Sequence, residues 1–291
     1  MSVLCLRRAR ACARSAHRAR RPRGFSLIEL LVVIGVIGLL LGLLLPALQL
    51  ARENGRRAHC FGNLRQLGIG LHSYHASYQA FPPGCVEPKG RRLAWSIFLL
   101  PYIEQAPLWR AYDVQRAFSS EINRAAGGTT LPIYLCPSTA RLAPDRGGPT
   151  SGDRNRNGRY DAGEDLAWTD YGGIFGANLP GATDFMNGVL VWDRAIRLAQ
   201  IRDGASQTLI VGEDTGRGWK LDSEWSNGEN IFDIAERVNV TQHNELWSDH
   251  PGGVNVLYCD GGARRIAESA ELSLLVAICT RNGGEVAPAA E

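Results

Sequence analysis

An α+β fold, in which one long N-terminal helix with a membrane-spanning first half packs on a mainly β globular domain, is what this sequence predicts. Three observations carry that reading. Residues 25–50 form an apolar run with a single charge, Glu29. Leu64, Leu67, Leu71, Tyr74 and Tyr78 follow at three- and four-residue intervals, the spacing of a helix with one apolar face. After Phe81-Pro82-Pro83-Gly84 the chain breaks into short apolar segments divided by turn residues, which is how strands read.

The apolar run is long enough to cross a bilayer, since a helix rising ~1.5 Å per residue needs roughly 20 residues to do so. Residues 1–24 precede it with eight of the chain's 32 basic residues and none of its 29 acidic ones. By the positive-inside rule this basic segment stays in the cytoplasm and the C-terminal body lies on the other side of the membrane. The remainder carries 24 basic against 29 acidic residues, a net of −5. A mildly acidic body argues against nucleic acid as a partner, because phosphate contacts need a clustered basic surface.

Three readings compete for the N-terminal segment: a cleaved secretory signal, a plain anchor, and a prepilin signal. The run exceeds the roughly 7–15 residues of a secretory signal core, and no small-x-small cleavage site follows it cleanly. Glu29 is the discriminating residue, because a carboxylate in a membrane helix costs ~2.5–3.5 kcal/mol at mid-depth and less near the interface. It either reaches the headgroups or has a task. The segment Gly24-Phe25-Ser26-Leu27-Ile28-Glu29-Leu30 resembles the cleavage and methylation signal of type IV pilins and type II secretion pseudopilins. The resemblance implies cleavage after Gly24 by a prepilin peptidase and N-methylation of Phe25. It also implies pairing of Glu29 with the terminal amine of a neighbouring subunit, itself this chain or another pseudopilin. Pro46 near the outer end of the run fits such helices, and Gly35, Gly38 and Gly42 offer small surfaces for helix contact.

The domain organisation follows: a basic leader over 1–24, a pilin-like helix over 25–80 with its first half in the inner membrane, and an extracytoplasmic globular domain over 81–291. The helix is expected to run to about Ser77, with Gly62, Gly68 and Gly70 weakening it. His72 and His75 flank its apolar stripe and, without a third ligand, read as polar-face residues. A further helix is expected near Trp95 to Tyr112. Thr208-Leu-Ile-Val-Gly212 reads as a buried strand, and Val254, Val256 and Tyr258 alternate before Asp260-Gly261, a dipeptide that favours a type I′ hairpin turn.

Several stretches extend the resemblance to a large family of bacterial prepilin-like proteins of undetermined function, marked by a C-terminal His-x9-Asp-Gly motif. Here the motif is His250 through Asp260-Gly261, and Cys60-Phe-Gly-Asn-Leu-Arg-Gln-Leu67, Leu100-Pro-Tyr-Ile-Glu-Gln105, Leu135-Cys-Pro-Ser138, Ile201-Arg-Asp-Gly-Ala-Ser206 and Gly283-Gly-Glu285 match as well. His250 and Asp260 read better as structural than as a catalytic pair, Asp260 supplying the turn and His250 bonding the preceding loop. No Gly-x-Ser-x-Gly elbow, HExxH or P-loop occurs, so no enzyme is expected. Seven cysteines include Cys5 and Cys12 in the leader, and the five others contain no CxxC pair, hence no zinc spacing and at most two disulfides. The presence of Cys60 and Cys136 in two family-like segments implies a disulfide between them.

The preferred function is a membrane-anchored structural subunit. The alternative is an extracytoplasmic ligand-binding module that uses the prepilin route only for export. One chemical motif is specific: Asp153-Arg-Asn155-Arg-Asn157-Gly158-Arg159-Tyr160-Asp161-Ala-Gly-Glu164 satisfies D-x-[DN]-x-[DN]-G-x5-E, the calcium loop of EF-hands. The alternative is a polar surface turn. The ligands would be side-chain oxygens of Asp153, Asn155 and Asn157, the Arg159 carbonyl, Asp161 directly or through water, and bidentate Glu164. With two neutral ligands and three neighbouring arginines, calcium should bind with a Kd on the order of 10⁻⁴–10⁻³ M. Calorimetry should detect one site in the wild type and lose it in Glu164→Gln; identical responses to millimolar calcium would reduce the loop to a polar turn.

Overall fold

The computed structural model describes residues 26–139, 165–177, 185–215, 223–241 and 245–284. Its first element, α1, spans Leu27–Tyr78, 52 residues in one helix with Pro46 inside it. The chain divides into two compact units, Met1–Leu50 and Ala51–Glu291. In the first, α1 is apolar on every side, with a mean hydropathy of 2.9 over its best 18-residue window, and none of that window is buried. By length and composition it can cross a membrane. A Cβ added to Gly35, Gly38 or Gly42 would meet nothing within 4 Å.

In the second unit the character of α1 changes. Cys60, Leu64, Leu67 and Leu71 are buried on one face, as the stripe predicts, while Tyr78 remains exposed. His72 and His75 lie partly exposed against Phe81, ring centroids 5.8 and 5.2 Å away, as polar-face residues do. The chain then leaves the helix and forms a small antiparallel pair, β1 (Cys85–Val86) and β2 (Leu93–Ala94).

The helix expected near Trp95 to Tyr112 is two short ones, α2 (Trp95–Leu99) and α3 (Ala106–Ala111). Pro101 and Pro107 explain the break, since each sits in the first turn of a new helical segment, where a missing N–H costs nothing. Glu104, between them, takes a φ of 62°. A further helix, α4, covers Glu121–Gly127.

The main sheet has five strands: β3 (Tyr171–Ala177), β4 (Leu209–Glu213), β5 (Ile231–Ile234), β6 (Gly253–Tyr258) and β7 (Ala263–Ala267). Their order is β5-β3-β4-β6-β7, antiparallel except for the β5–β3 pair. Val254, Val256 and Tyr258 alternate as expected, yet β6 is buried along its whole length. The reason is that the sheet has two covered faces. Leu257 packs in a core with Leu64, Leu67 and Leu71 of α1. Val254, Val256 and Tyr258 pack in another with Leu275 and Ile278, which belong to a last helix, α5 (Leu272–Cys279).

The hairpin after β6 differs from the expected type I′ turn. Gly261 N–H donates to Tyr258 O (3.0 Å), and of Cys259, Asp260 and Gly261 only Gly261 has positive φ, 83°. This is the arrangement of a turn closed by a left-handed glycine and a bulge. Asp260 holds it from both ends, accepting from Gly262 N–H (2.7 Å) and from Arg264 (3.0 Å). The structural reading of Asp260 therefore holds.

Around Trp95 the first core is pinned by polar bonds as well as packing. Tyr134 stacks on Trp225 with centroids 6.0 Å apart, and the Trp95 indole N–H donates to Asn230 O (3.2 Å). Gly84 is the tightest point of this region. Its N–H donates to Val191 O and its carbonyl accepts from Trp95 N–H, both at 2.9 Å, so a Cβ there would lie 2.2 Å from Leu190 O. Gly84→Ala should accordingly destabilise the globular unit by about 1–3 kcal/mol. Thermal unfolding followed by circular dichroism should show a midpoint lower by roughly 2–10 °C; an unchanged midpoint would mean that this position tolerates a side chain.

Candidate functional site

Helical spacing brings the site together first. Glu53, Arg56 and Cys60 lie on one side of α1 at three-, four- and seven-residue intervals, two turns from end to end. The loop carrying Cys136 and Ser138 lies against this face. Asn63 of α1 donates its side-chain amide to Leu135 O (3.0 Å), and Cys136 N–H donates to the Asp170 carboxylate (2.6 Å). Asp170 immediately precedes β3, whose first residue, Tyr171, is paired in register with Glu213 at the end of β4. His250 arrives on the loop that enters β6.

These segments bury a compact polar cluster. Cys60, Cys136, Glu213, His250 and Tyr171 are all at most 2% exposed. His250 Nε2 lies 3.2 Å from Cys60 Sγ, 3.4 Å from Cys136 Sγ and 3.6 Å from Glu213 Oε1. The two sulfurs are 3.1 Å apart. On its other edge, His250 Nδ1 bonds Glu53. An ionised carboxylate can only accept, so Nδ1 carries the proton of that bond. Glu53 also accepts from Arg56 Nε (2.9 Å) and from the Ser138 hydroxyl (3.1 Å). Glu213 is held equally firmly. Its Oε2 accepts from the Ser248 hydroxyl (2.8 Å) and Asn255 N–H (2.9 Å), and its Oε1 from the Asn255 side-chain amide (3.0 Å).

The electrostatics follow from burial and proximity. Burial alone would lower the His250 pKa, but the bond with Cys136, the Glu213 charge and the bond with Glu53 outweigh it and bring it up to about 9. Burial alone would raise the Glu53 carboxyl, and hydrogen bonds from His250 and Arg56 instead hold it below its ordinary value. Its bond to Cys60, and then burial, keep the Cys136 thiol well above the usual range. Burial, followed by the charges of Glu213 and the cysteines, does the same to the Tyr171 phenol. That hydroxyl makes no well-formed hydrogen bond among the described residues.

Cys60, Cys136, Glu213 and His250 each offer one donor atom, and these four atoms lie within 4.8 Å of one another. As a set they could hold a metal ion, a grouping of which the cysteine spacing gives no sign. The expected Cys60–Cys136 disulfide is corrected. The two residues are neighbours, but they stand as free thiols that share His250 as a partner. His250 does more than bond a loop: its ring joins α1 to the sheet. It does not partner Asp260, which serves the hairpin. Glu53 and Glu213 had no motif to mark them, and the only hint was that Cys60, Cys136 and His250 fall in the segments that carry the family likeness.

Of the other predicted site residues, Glu29 lies in the first turn of α1 and accepts Ser26 N–H (2.8 Å). Gly24 and Phe25, and the calcium loop Asp153, Asn155, Asn157, Arg159, Asp161 and Glu164, lie outside the described residues.

An apolar N-terminal helix long enough for a bilayer, joined to a sheet-rich domain, defines a pilin-like α+β protein. Comparison with known families agrees at both ends of that description. Residues 19–45 match the family described as prokaryotic N-terminal methylation motif, and residues 49–234, more than half of the chain, match the one described as protein of unknown function (DUF1559). The chain belongs to this second family and carries a prepilin-type methylation signal. His250 and Asp260 lie beyond the matched region. No curated protein and no solved structure matches the chain.

Proposed function

We propose that this protein is a membrane-anchored, pseudopilin-like structural subunit, cleaved after Gly24 by prepilin peptidase, methylated on Phe25 and displayed or assembled outside the cytoplasm. The single observation that carries the reading is the methylation motif at residues 19–45 set on an apolar helix that begins at Leu27 and exposes its large hydrophobic side chains on all sides. Such a surface is stable only in lipid or against other helices. Glu29 supports assembly. In a single chain it caps its own first turn through Ser26 N–H, an interaction it can exchange for the terminal amine of a neighbouring subunit once cleavage creates one.

On this reading the leader faces the cytoplasm, the helix sits in the inner membrane and the domain from Ala51 onwards is exported. The partners are prepilin peptidase and other copies of this chain or other pseudopilins. Calcium at residues 153–164 belongs to the same reading, because an exported loop meets a calcium-rich exterior. The role on this reading is structural. A ligand-binding module is the second reading, favoured by a polar cleft of about 440 Å³ lined by Asn187, Gln200, Arg202 and Arg281 among others.

Membrane-extracted protein should begin at N-methylated Phe25 by intact mass and terminal sequencing, and a start at Met1 would refute processing. Glu29→Ala should insert normally but give several-fold fewer oligomers when crosslinked through the N-terminal helix. Oligomers at the wild-type level would count against a part for Glu29 in assembly, and a wild-type monomer with a selective ligand would favour the binding-module reading.

A further inference from the structure

We propose that Cys60, Cys136, Glu213 and His250 form a buried tetrahedral metal site, for which Zn²⁺ is the fitting ion, and that it fastens the second half of α1 to the sheet. The proposal concerns the globular unit and stands whatever the route of export.

The donor set is the first argument. Two soft thiolates and a borderline imidazole outweigh the one hard carboxylate, a set that suits Zn²⁺ and suits hard cations such as Ca²⁺ or Mg²⁺ poorly. Size is the second. Around a tetrahedral zinc with Zn–S ≈ 2.3 Å and Zn–N or Zn–O ≈ 2.0 Å, neighbouring donors should be roughly 3.3–3.8 Å apart. Here Sγ to Sγ is 3.1 Å, and Nε2 lies 3.2, 3.4 and 3.6 Å from the two sulfurs and Glu213 Oε1. The cage needs only shifts within an ångström or so to close on an ion.

The surrounding groups are the third argument. A metal-bound histidine usually gives its other ring N–H to a carboxylate, which sets the tautomer and leaves the free nitrogen for the ion. Glu53 on His250 Nδ1 does this, and Nε2 is the nitrogen that faces both sulfurs. Ser248 and the Asn255 backbone hold Glu213 Oε2, which turns Oε1 towards the cage. Charge is the fourth. Glu213 is fully buried, and among the described residues His250 is the only basic group at ion-pair distance from it. A divalent cation offsets two of the three negative charges that Glu213 and two thiolates carry, whereas a disulfide would remove both sulfurs and supply no charge. On binding, Zn²⁺ replaces the two thiol protons and any proton on Nε2, and these leave to solvent with no change of oxidation state.

The processed full-length chain, purified in detergent without chelators, should contain one zinc per protein by elemental analysis. After removal with EDTA under reducing conditions it should rebind one equivalent of Zn²⁺. Co²⁺ in its place should give thiolate-to-metal charge transfer and tetrahedral ligand-field bands. Cys60→Ser and Cys136→Ser should abolish the charge-transfer intensity or weaken affinity more than tenfold. Glu53→Gln should weaken it about 10–100-fold while keeping the Co²⁺ spectrum, and Cys259→Ala, outside the cluster, should bind as wild type. Wild-type protein that is folded and reduced yet takes up no zinc overturns the site, as does a Cys60–Cys136 disulfide found in the native protein by non-reducing peptide mapping. Because both readings use the wild-type chain, loss of folding in a variant does not rescue the proposal.

Discussion

Burial of Leu64, Leu67 and Leu71 against the sheet is the constraint on which the rest of the globular unit rests. These side chains are at most 1% exposed, and each contributes roughly 1.5–3 kcal/mol on removal from water. Once that stripe is seated, the rotation of α1 about its own axis is no longer free. Residues about one and three turns before Leu64 on the same face, Cys60 and Glu53, must then point where the leucines point. The polar cluster is in this sense a product of hydrophobic packing. The leucines set the angle, and the imidazole of His250 bridges the two polar residues that the angle presents.

The cluster in turn accounts for features that look incidental one at a time. Asp170 takes the N–H of Cys136, Asn63 takes the place of a backbone partner for Leu135, and Glu213 ends a strand with its carboxylate facing inward. Each is a buried polar group that would cost energy unpaired. Together they knit the helix, the 132–138 loop, β4 and the segment entering β6. Burying so many ionisable groups is worthwhile only if they hold one another, or a cation, in a defined geometry.

The two units differ in the character of their surfaces. Up to Leu50 α1 is apolar all round and its large hydrophobic side chains are exposed, a surface suited to lipid or to neighbouring helices. Beyond Ala51 the helix has one buried face and one exposed face. A change from uniform to one-sided hydrophobicity along a single helix is what a protein needs to pass from membrane to water without breaking its backbone hydrogen bonds.

What the sequence by itself determined is local or compositional. The apolar run, the basic segment before it, Glu29 and the leucine stripe are all read from neighbours within a few helical turns, and the long helix with an α+β body follows from them. The turn at Asp260-Gly261 was legible as a turn, but its type was not, because the bulge depends on how β6 and β7 pair. The cluster was beyond reach for a related reason. Cys60, Cys136, Glu213 and His250 come from four segments separated by 37 to 77 residues along the chain, so no spacing rule for metal ligands could join them. Only the seating of α1 on the sheet, a long-range packing event, brings those four donors into one cage.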